Sequence, residues 1–340
     1  MSRTFIISRT DSIGDVVLTL PVAGVLRGLY PDARILFLGS AYTEEVVRAC
    51  THVDGFLNWD EWKGLDPDDQ IRTLISTGAD TFIHVFPRKE IAWLAKRAGI
   101  ETRIGTTNRG YHWPTCNKLV RLSRRHSPYH EAQLNLKLLT GLGALPLYPL
   151  EEIAGLYGFT RIAPLDPSWR ALLDPTRFNL IIHPRSKGSA REWGLHNFGE
   201  LIGMLPTDRY SVFLTGTAAE GKELGALLRQ HPSVTDLTGR MTLAQFISFI
   251  AHADGLLAAS TGPLHMAAAL GIHAIGLYAP MRPIHPGRWA PIGPGAKVLV
   301  SEKVCDACRK TMDCACMRDI PPGSVKEVLD FVHLDLQPRR

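Results

Sequence analysis

The sequence predicts an α/β chain built from two doubly wound halves, and three observations predict it. Short apolar runs rich in β-branched and aromatic residues alternate with stretches of helical period, the pattern of parallel strands joined by helical crossovers. That alternation stops at a proline-containing stretch, RIAPLDPSWRALLDPTRF, and then restarts in the same style. The 340 residues are also more than one core usually holds and fewer than three domains need.

In chain order, the strand TFIIS is followed by a helical stretch from Asp15 to Leu29, the strand RILFLG, a helix over Tyr42 to Ala49, the strand TFIHVF and a helix over Ile91 to Ala98. NLIIHP, YSVFLTG, GLLAAS and HAIGLYA rebuild the pattern in the second half, with a helix starting near Leu195. The expected domains are residues 1–163 and 177–322. Residues 323–340 form a C-terminal helix and tail that pack back on the N-terminal domain. In such sheets ligands bind beyond the carboxyl ends of the strands, so the active site is expected in the cleft between the halves.

Composition narrows the class. Hydrophobic residues at 45% and charged residues at 21% are those of a globular protein with a real core. MSRTFIISRT has no apolar segment long enough for a secretory leader, so a cytoplasmic protein is expected. The longest stretch free of Asp, Glu, Lys and Arg, Gly255 to Met281, is broken by glycines and prolines and does not read as a spanning helix. The net charge of +5 is unevenly spread: ten Lys or Arg from Arg88 to Arg125 face only Glu90 and Glu101. Such a cluster suits an acidic partner or is a solvated face. It lacks the interleaved aromatics of a single-strand platform, so nucleic acid is not expected.

Three stretches carry candidate chemistry. In SRTDSIGDVVLTLP a strand gives way to a helix, and Ser12-x-x-Asp15 fits a capping box. Gly14 in the first turn weakens that helix and allows another molecule to approach the backbone. A carboxylate there sits at the positive end of the helix dipole, so Asp15 reads either as a cap or as a general base. In IIHPRSKGSAREWGLHNFGELIGML, a basic loop with Arg185, Ser186, Lys187 and Arg191 separates a strand from a helix, groups suited to a diphosphate. In GLLAASTGPLHMAAALG, Ser260, Thr261 and Gly262 form a turn, Pro263 sits near the first helical position, and the free N–H groups point toward an anion. His265 falls in that helix's first turn, where a histidine alone is more often structural.

Of the six cysteines, Cys305, Cys308, Cys314 and Cys316 form the set CDACRKTMDCAC. Its spacing leaves a structural metal, free thiols and disulfides open, and none implies catalysis.

Together these stretches, with LTGTAAEGKEL between them, resemble glycosyltransferase family 9, the ADP-heptose:lipopolysaccharide heptosyltransferases and their relatives. The resemblance runs over nearly the whole chain. It implies a GT-B architecture with acceptor on the N-terminal domain and nucleotide sugar on the C-terminal domain. It also implies inverting, metal-independent transfer with no cofactor beyond the donor, ADP-heptose. On the family pattern Asp15 is the catalytic aspartate. Arg185 and Ser186 contact the donor diphosphate, and Arg191 stands where the family has a phosphate-binding lysine. Glu220 holds the ribose, Met241 packs the adenine, and Thr261 and Gly262 form the phosphate turn. Ser260 replaces an aspartate, which puts heptose itself in question. The implied acceptor is the lipopolysaccharide inner core, reached by peripheral contact with the inner membrane face, and Arg124 and Arg125 are the expected contacts. The alternatives are a sugar-nucleotide epimerase or hydrolase of similar fold and a non-catalytic nucleotide-sugar-binding protein.

Overall fold

The computed structural model describes residues 3–124, 127–281, 284–301 and 315–336. The chain divides into two compact units, Met1–Arg161 and Ile162–Arg340. The first unit holds β1 (Thr4–Ser8), β2 (Arg34–Gly39), β3 (Gly55–Asn58), β4 (Thr81–His84), β5 (Thr102–Thr106) and β6 (Lys118–Val120), in the order β3-β2-β1-β4-β5-β6. The second holds β7 (Phe178–His183), β8 (Tyr210–Leu214), β9 (Thr235–Asp236), β10 (Gly255–Ala259), β11 (His273–Tyr278) and β12 (Ala296–Val300), in the order β12-β11-β10-β7-β8-β9. All pairings are parallel. Counted from its own first strand, the second sheet has the order of the first.

This order fixes where chemistry can sit. The chain winds outward one way from β1 and the other way from β4, so the loops leaving these two neighbours part and open a crevice at their carboxyl ends. The same divergence occurs between β7 and β10. The central strands are apolar on both faces because helices cover both: Phe5, Ile6 and Ile7 are fully buried, as are Leu180, Ile181 and Ile182. Each such side chain contributes about 1.5–3 kcal/mol of transfer free energy.

One expectation needs correction. The helical stretch from Asp15 to Leu29 is two helices, Ile13–Val17 and Leu20–Leu29. Pro21 has no N–H to offer the carbonyl of Val17, so the helix cannot run through it. The hydroxyl of Thr19 instead donates to the Asp15 carbonyl at 2.8 Å, and Asn135 Nδ2 donates to the Leu18 carbonyl at 3.1 Å. The last helix, Pro322–Leu336, lays an apolar stripe into the second unit's core. There Val325, Leu329 and Val332 pack with Phe178, Trp193 and Leu201. The Tyr210 hydroxyl donates to Asp330 at 3.0 Å. Among the described residues no helix is long and apolar enough to cross a membrane.

Candidate active site

At the crevice of the first sheet, the chain leaves β1 through Arg9, Thr10, Asp11 and Ser12 and enters the helix carrying Asp15. Arg9 is buried, 3% exposed, and its guanidinium organises the surroundings. It forks onto Asp11 at 2.7 and 3.0 Å, donates to Asp15, and reaches Glu131 at 3.1 Å and Asn135 at 3.3 Å. Arg124 closes the group from the other side, donating to Glu131 at 2.9 Å and Asn135 at 2.9 Å. Among the described residues, two guanidinium groups therefore face three carboxylates. Burial lowers the Arg9 pKa, but Asp15, Asp11 and Glu131 more than offset it, so Arg9 stays charged.

The capping alternative for Asp15 is not realised. Ser12 is the N-cap of the helix but makes no side-chain cap bond; its hydroxyl donates to the Asp15 carboxylate instead. One carboxylate oxygen thus meets Arg9 and the other meets Ser12, while the side chain keeps 19% exposure. Asp15 is fixed and still reachable. Arg88, leaving β4 on the other side of the crevice, donates to the Thr10 hydroxyl at 2.6 Å.

In the second unit the candidates follow four strands: the basic loop follows β7, Glu220 follows β8, Met241 follows β9, and Ser260 to His265 follow β10. The basic loop folds around Glu192. That carboxylate accepts from Arg185 at 2.7 Å, from the Ser186 N–H at 2.9 Å and from the Ser186 hydroxyl at 3.0 Å. Arg185 also pairs with Glu223. Lys187, exposed at the tip, has φ 49°, and Gly188 follows at φ 78°. A lysine in that region costs about 1–2 kcal/mol, which the loop absorbs through the Glu192 contacts. Arg191 is half-buried. Trp193, fully buried, donates its indole N–H to the Ile320 carbonyl at 2.9 Å and anchors the loop's far end.

Glu220 closes a capping box: its Oε2 accepts from the Thr217 N–H at 2.7 Å and the Thr217 hydroxyl at 2.8 Å. Burial pushes the Glu220 pKa up, but the two Thr217 bonds, His183 and Lys187 win, and the carboxyl lies below its usual range. His183, at the end of β7, is pushed down to about 4, mostly by burial, and its Nδ1 meets the Thr215 hydroxyl at 3.1 Å. Met241 is half-buried beside the next helix's N-cap, Thr242. Thr261 caps the helix Gly262–Ala269 through its backbone alone; its Oγ1 is buried without a partner beside the helix N-terminus. Ser260 lies against the Tyr278 phenol, and His265 is buried. The helix sits hard on the sheet, because a side chain at Gly276 would meet Leu264 at 2.9 Å.

The chain is similar to known proteins. The family model of glycosyltransferase family 9 (heptosyltransferase) matches residues 71–316, most of the chain. The chain belongs to that family. It is a glycosyltransferase of GT-B fold. A Haemophilus influenzae protein that carries a glycosyltransferase name is 27% identical over 301 residues, 84% of this chain and 85% of its own. Lipopolysaccharide heptosyltransferase 3 of Escherichia coli K12 is 24% identical over 287 residues, 78% of this chain and 79% of its own. Among solved structures, E. coli ADP-heptose lps heptosyltransferase II superposes with a TM-score of 0.75 at 18% identity, covering 98% of this chain and 99% of that one.

Within this family member, the sequence reading missed the partners of its candidates: Arg9, Asp11 and Glu131 around Asp15, and Glu192 and Glu223 around Arg185. The pairing of Arg9 with Glu131 spans 122 positions and has no local sequence signal. The spacing of Arg185 and Glu192 did offer one, since a tight glycine-containing loop brings its ends together. Arg124, expected to meet the acceptor, is drawn into the Glu131 cluster, and Arg125 lies outside the described residues. Cys305, Cys308 and Cys314 also lie outside them, while Cys316 is buried in the second core.

Proposed function

We propose that this glycosyltransferase moves heptose from ADP-heptose to a lipopolysaccharide inner-core acceptor, inverting the anomeric centre, with Asp15 as general base. The observation that carries this reading is Asp15 itself: one carboxylate oxygen on Arg9, the other on Ser12, and an edge open to solvent at the crevice of the first sheet. The acceptor hydroxyl gives its proton to Asp15 as its oxygen forms the new bond to the anomeric carbon. The bond from that carbon to the diphosphate oxygen breaks, and the nucleotide leaves on the opposite side with the electron pair.

Charge then grows on the departing diphosphate. Arg185, Lys187 and Arg191 supply positive charge, and the N–H groups at Thr261 and Gly262 supply aligned donors, all more useful in the transition state than before it. Glu220 takes the ribose and Met241 the adenine, and Ser260 and His265 line the donor turn. The buried Thr261 Oγ1, left without a partner by the chain, is a donor awaiting an oxygen. Exposed cations after β4 to β6, among them Lys89, Arg109 and Arg121, suit the anionic acceptor and the membrane face that carries it. The names of the lipopolysaccharide heptosyltransferase relatives support donor and acceptor class.

Asp15→Asn tests the base. Turnover of ADP-heptose with a lipopolysaccharide core acceptor should fall about a hundredfold or more while ADP affinity stays within about twofold. Unchanged turnover would discard the assignment. Thermal-shift comparison of ADP-, UDP- and GDP-sugars tests the donor, since the nucleotide bound by the folded protein raises its midpoint.

A further inference from the structure

One terminal nitrogen of Arg9 serves two carboxylates, donating to Asp11 at 3.0 Å and to Asp15 as well. We propose that Asp11 and Asp15 work as one unit across Arg9, with Asp11 the positioning residue that sets how strongly Asp15 attracts a proton. The functional half of this inference rests on Asp15 being the base; the coupling of the two carboxylates does not.

Among the described residues the cluster holds one carboxylate more than it has guanidinium groups. Glu131 is buried at 1% exposure and takes both Arg9 and Arg124, so the surplus charge falls on the Asp11–Asp15 pair. Burial pushes the Asp11 carboxyl up to about 6, opposed by Arg9 and reinforced by Asp15. Among the described residues the other groups facing Asp11 supply no second cation: the Tyr42 hydroxyl donates to the Asp11 carbonyl at 2.5 Å, and Asp60 lies behind it on the Ala41 N–H, paired with Lys63 at 2.7 Å. Arg88 is spent on Thr10 and Glu90.

The pair therefore has two settings. With Asp11 charged, Arg9 is shared and a second negative charge stands beside Asp15, which makes Asp15 the stronger base. Once Asp11 takes a proton, Arg9 is left to Asp15 and Glu131, and Asp15 becomes the weaker base. Turnover should fall as pH drops through the Asp11 midpoint.

Carboxyl carbon NMR titration of the full chain, labelled at aspartate, reads the coupling with no substrate. Asp11 should titrate near 6, and in Asp15→Asn its midpoint should fall by about one pH unit because the neighbouring charge is gone. An unmoved midpoint overturns the coupling. In Asp11→Asn, turnover at pH 7.5 should drop about tenfold with donor KM little changed, and the acid limb near pH 6 should disappear, leaving only the limb that protonation of Asp15 itself imposes. A limb near pH 6 that survives this substitution overturns the tuning role. Activity retained in Asp15→Asn would instead defeat the base assignment and leave the titration result standing. If Asp11→Asn fails to fold, the titration of Asp15→Asn alone decides the coupling.

Discussion

The two units share a strand order but arrange charge in opposite ways at the same place. In the first, a buried arginine is the hub and carboxylates reach outward from it: Arg9 has 4% side-chain exposure, Asp15 has 19% and Asp11 has 22%. In the second, the arginine itself stays open: Arg185 lies between Glu192 and Glu223 and keeps 26% exposure, while Glu192 also holds Ser186. Topology supplies a crevice twice, and the residues just beyond β1 and β7 decide whether it presents an anion or a cation. An anion suits a proton leaving an alcohol, and a cation suits a departing diphosphate.

The most severe way to break this contrast is to remove the two arginines in turn. Arg9→Met takes the shared cation from Asp11 and Asp15, leaves the buried Glu131 with Arg124 in place of two arginines, and should cost about 3–5 kcal/mol in denaturant unfolding. Arg185→Met removes a partly exposed pair and should cost under about 1 kcal/mol. Equal losses would erase the distinction between a structural and a functional arginine. The second arginine should instead show itself in binding: Arg185→Met should weaken ADP about tenfold or more by calorimetry, the worth of a charge-assisted bond.

Much of this was legible beforehand, and what was missed has physical causes. The central strands β1, β2 and β4 and β7, β8, β10 and β11 are apolar runs and announce themselves. The strands β3, β5, β6, β9 and β12 give a weaker signal because they are short or interrupted: TRIGT and AKVLV each carry a charge at the second position, GFLN and KLV are four and three residues long, and TD is only two. Asp15, Arg185 and Thr261 were legible because each follows a strand and opens a turn or helix. Their partners were not, because Glu131 approaches from a helix far along the chain, and only the folded sheet brings it to Arg9. The pairing of Arg124 with Glu131 is hidden in the same way, since local sequence shows Arg124 as one more cation in a basic stretch.

A smaller effect sharpens the comparison through pH. His84, at the carboxyl end of β4, is fully buried with both ring nitrogens unpartnered, and burial holds its pKa well below the usual value, with His112 and Arg103 adding to this. A histidine that stays neutral when folded but gains a proton when unfolded contributes stability above the unfolded value of about 6.5 and loses it below, at roughly 1.4 kcal/mol per pH unit. His84→Leu should be neutral or mildly stabilising at pH 7 and should flatten the loss between pH 6.5 and 5. In the second unit His183 is pushed down to about 4, so acid should weaken that unit over the same window down to about pH 4. A steeper acid loss in His84→Leu would show that the ring had been holding a charge.

The mildest test concerns the carboxylates that hold Arg185. If they only keep the guanidinium in place until a diphosphate arrives, loosening one should help the ligand. Glu223 is the outer one, half exposed, whereas Glu192 also anchors the Ser186 backbone and hydroxyl, so removing Glu192 would change the loop as well as the charge. Glu223→Gln should therefore raise ADP affinity about twofold to fivefold, the range expected for an exposed ion pair worth under about 1 kcal/mol. The gain should shrink as salt rises toward 1 M, where the screening length falls to about 3 Å. A drop in affinity would mean that Glu223 orients Arg185 rather than competing for it. The second crevice would then resemble the first, with its arginine held as a fixed part of the site.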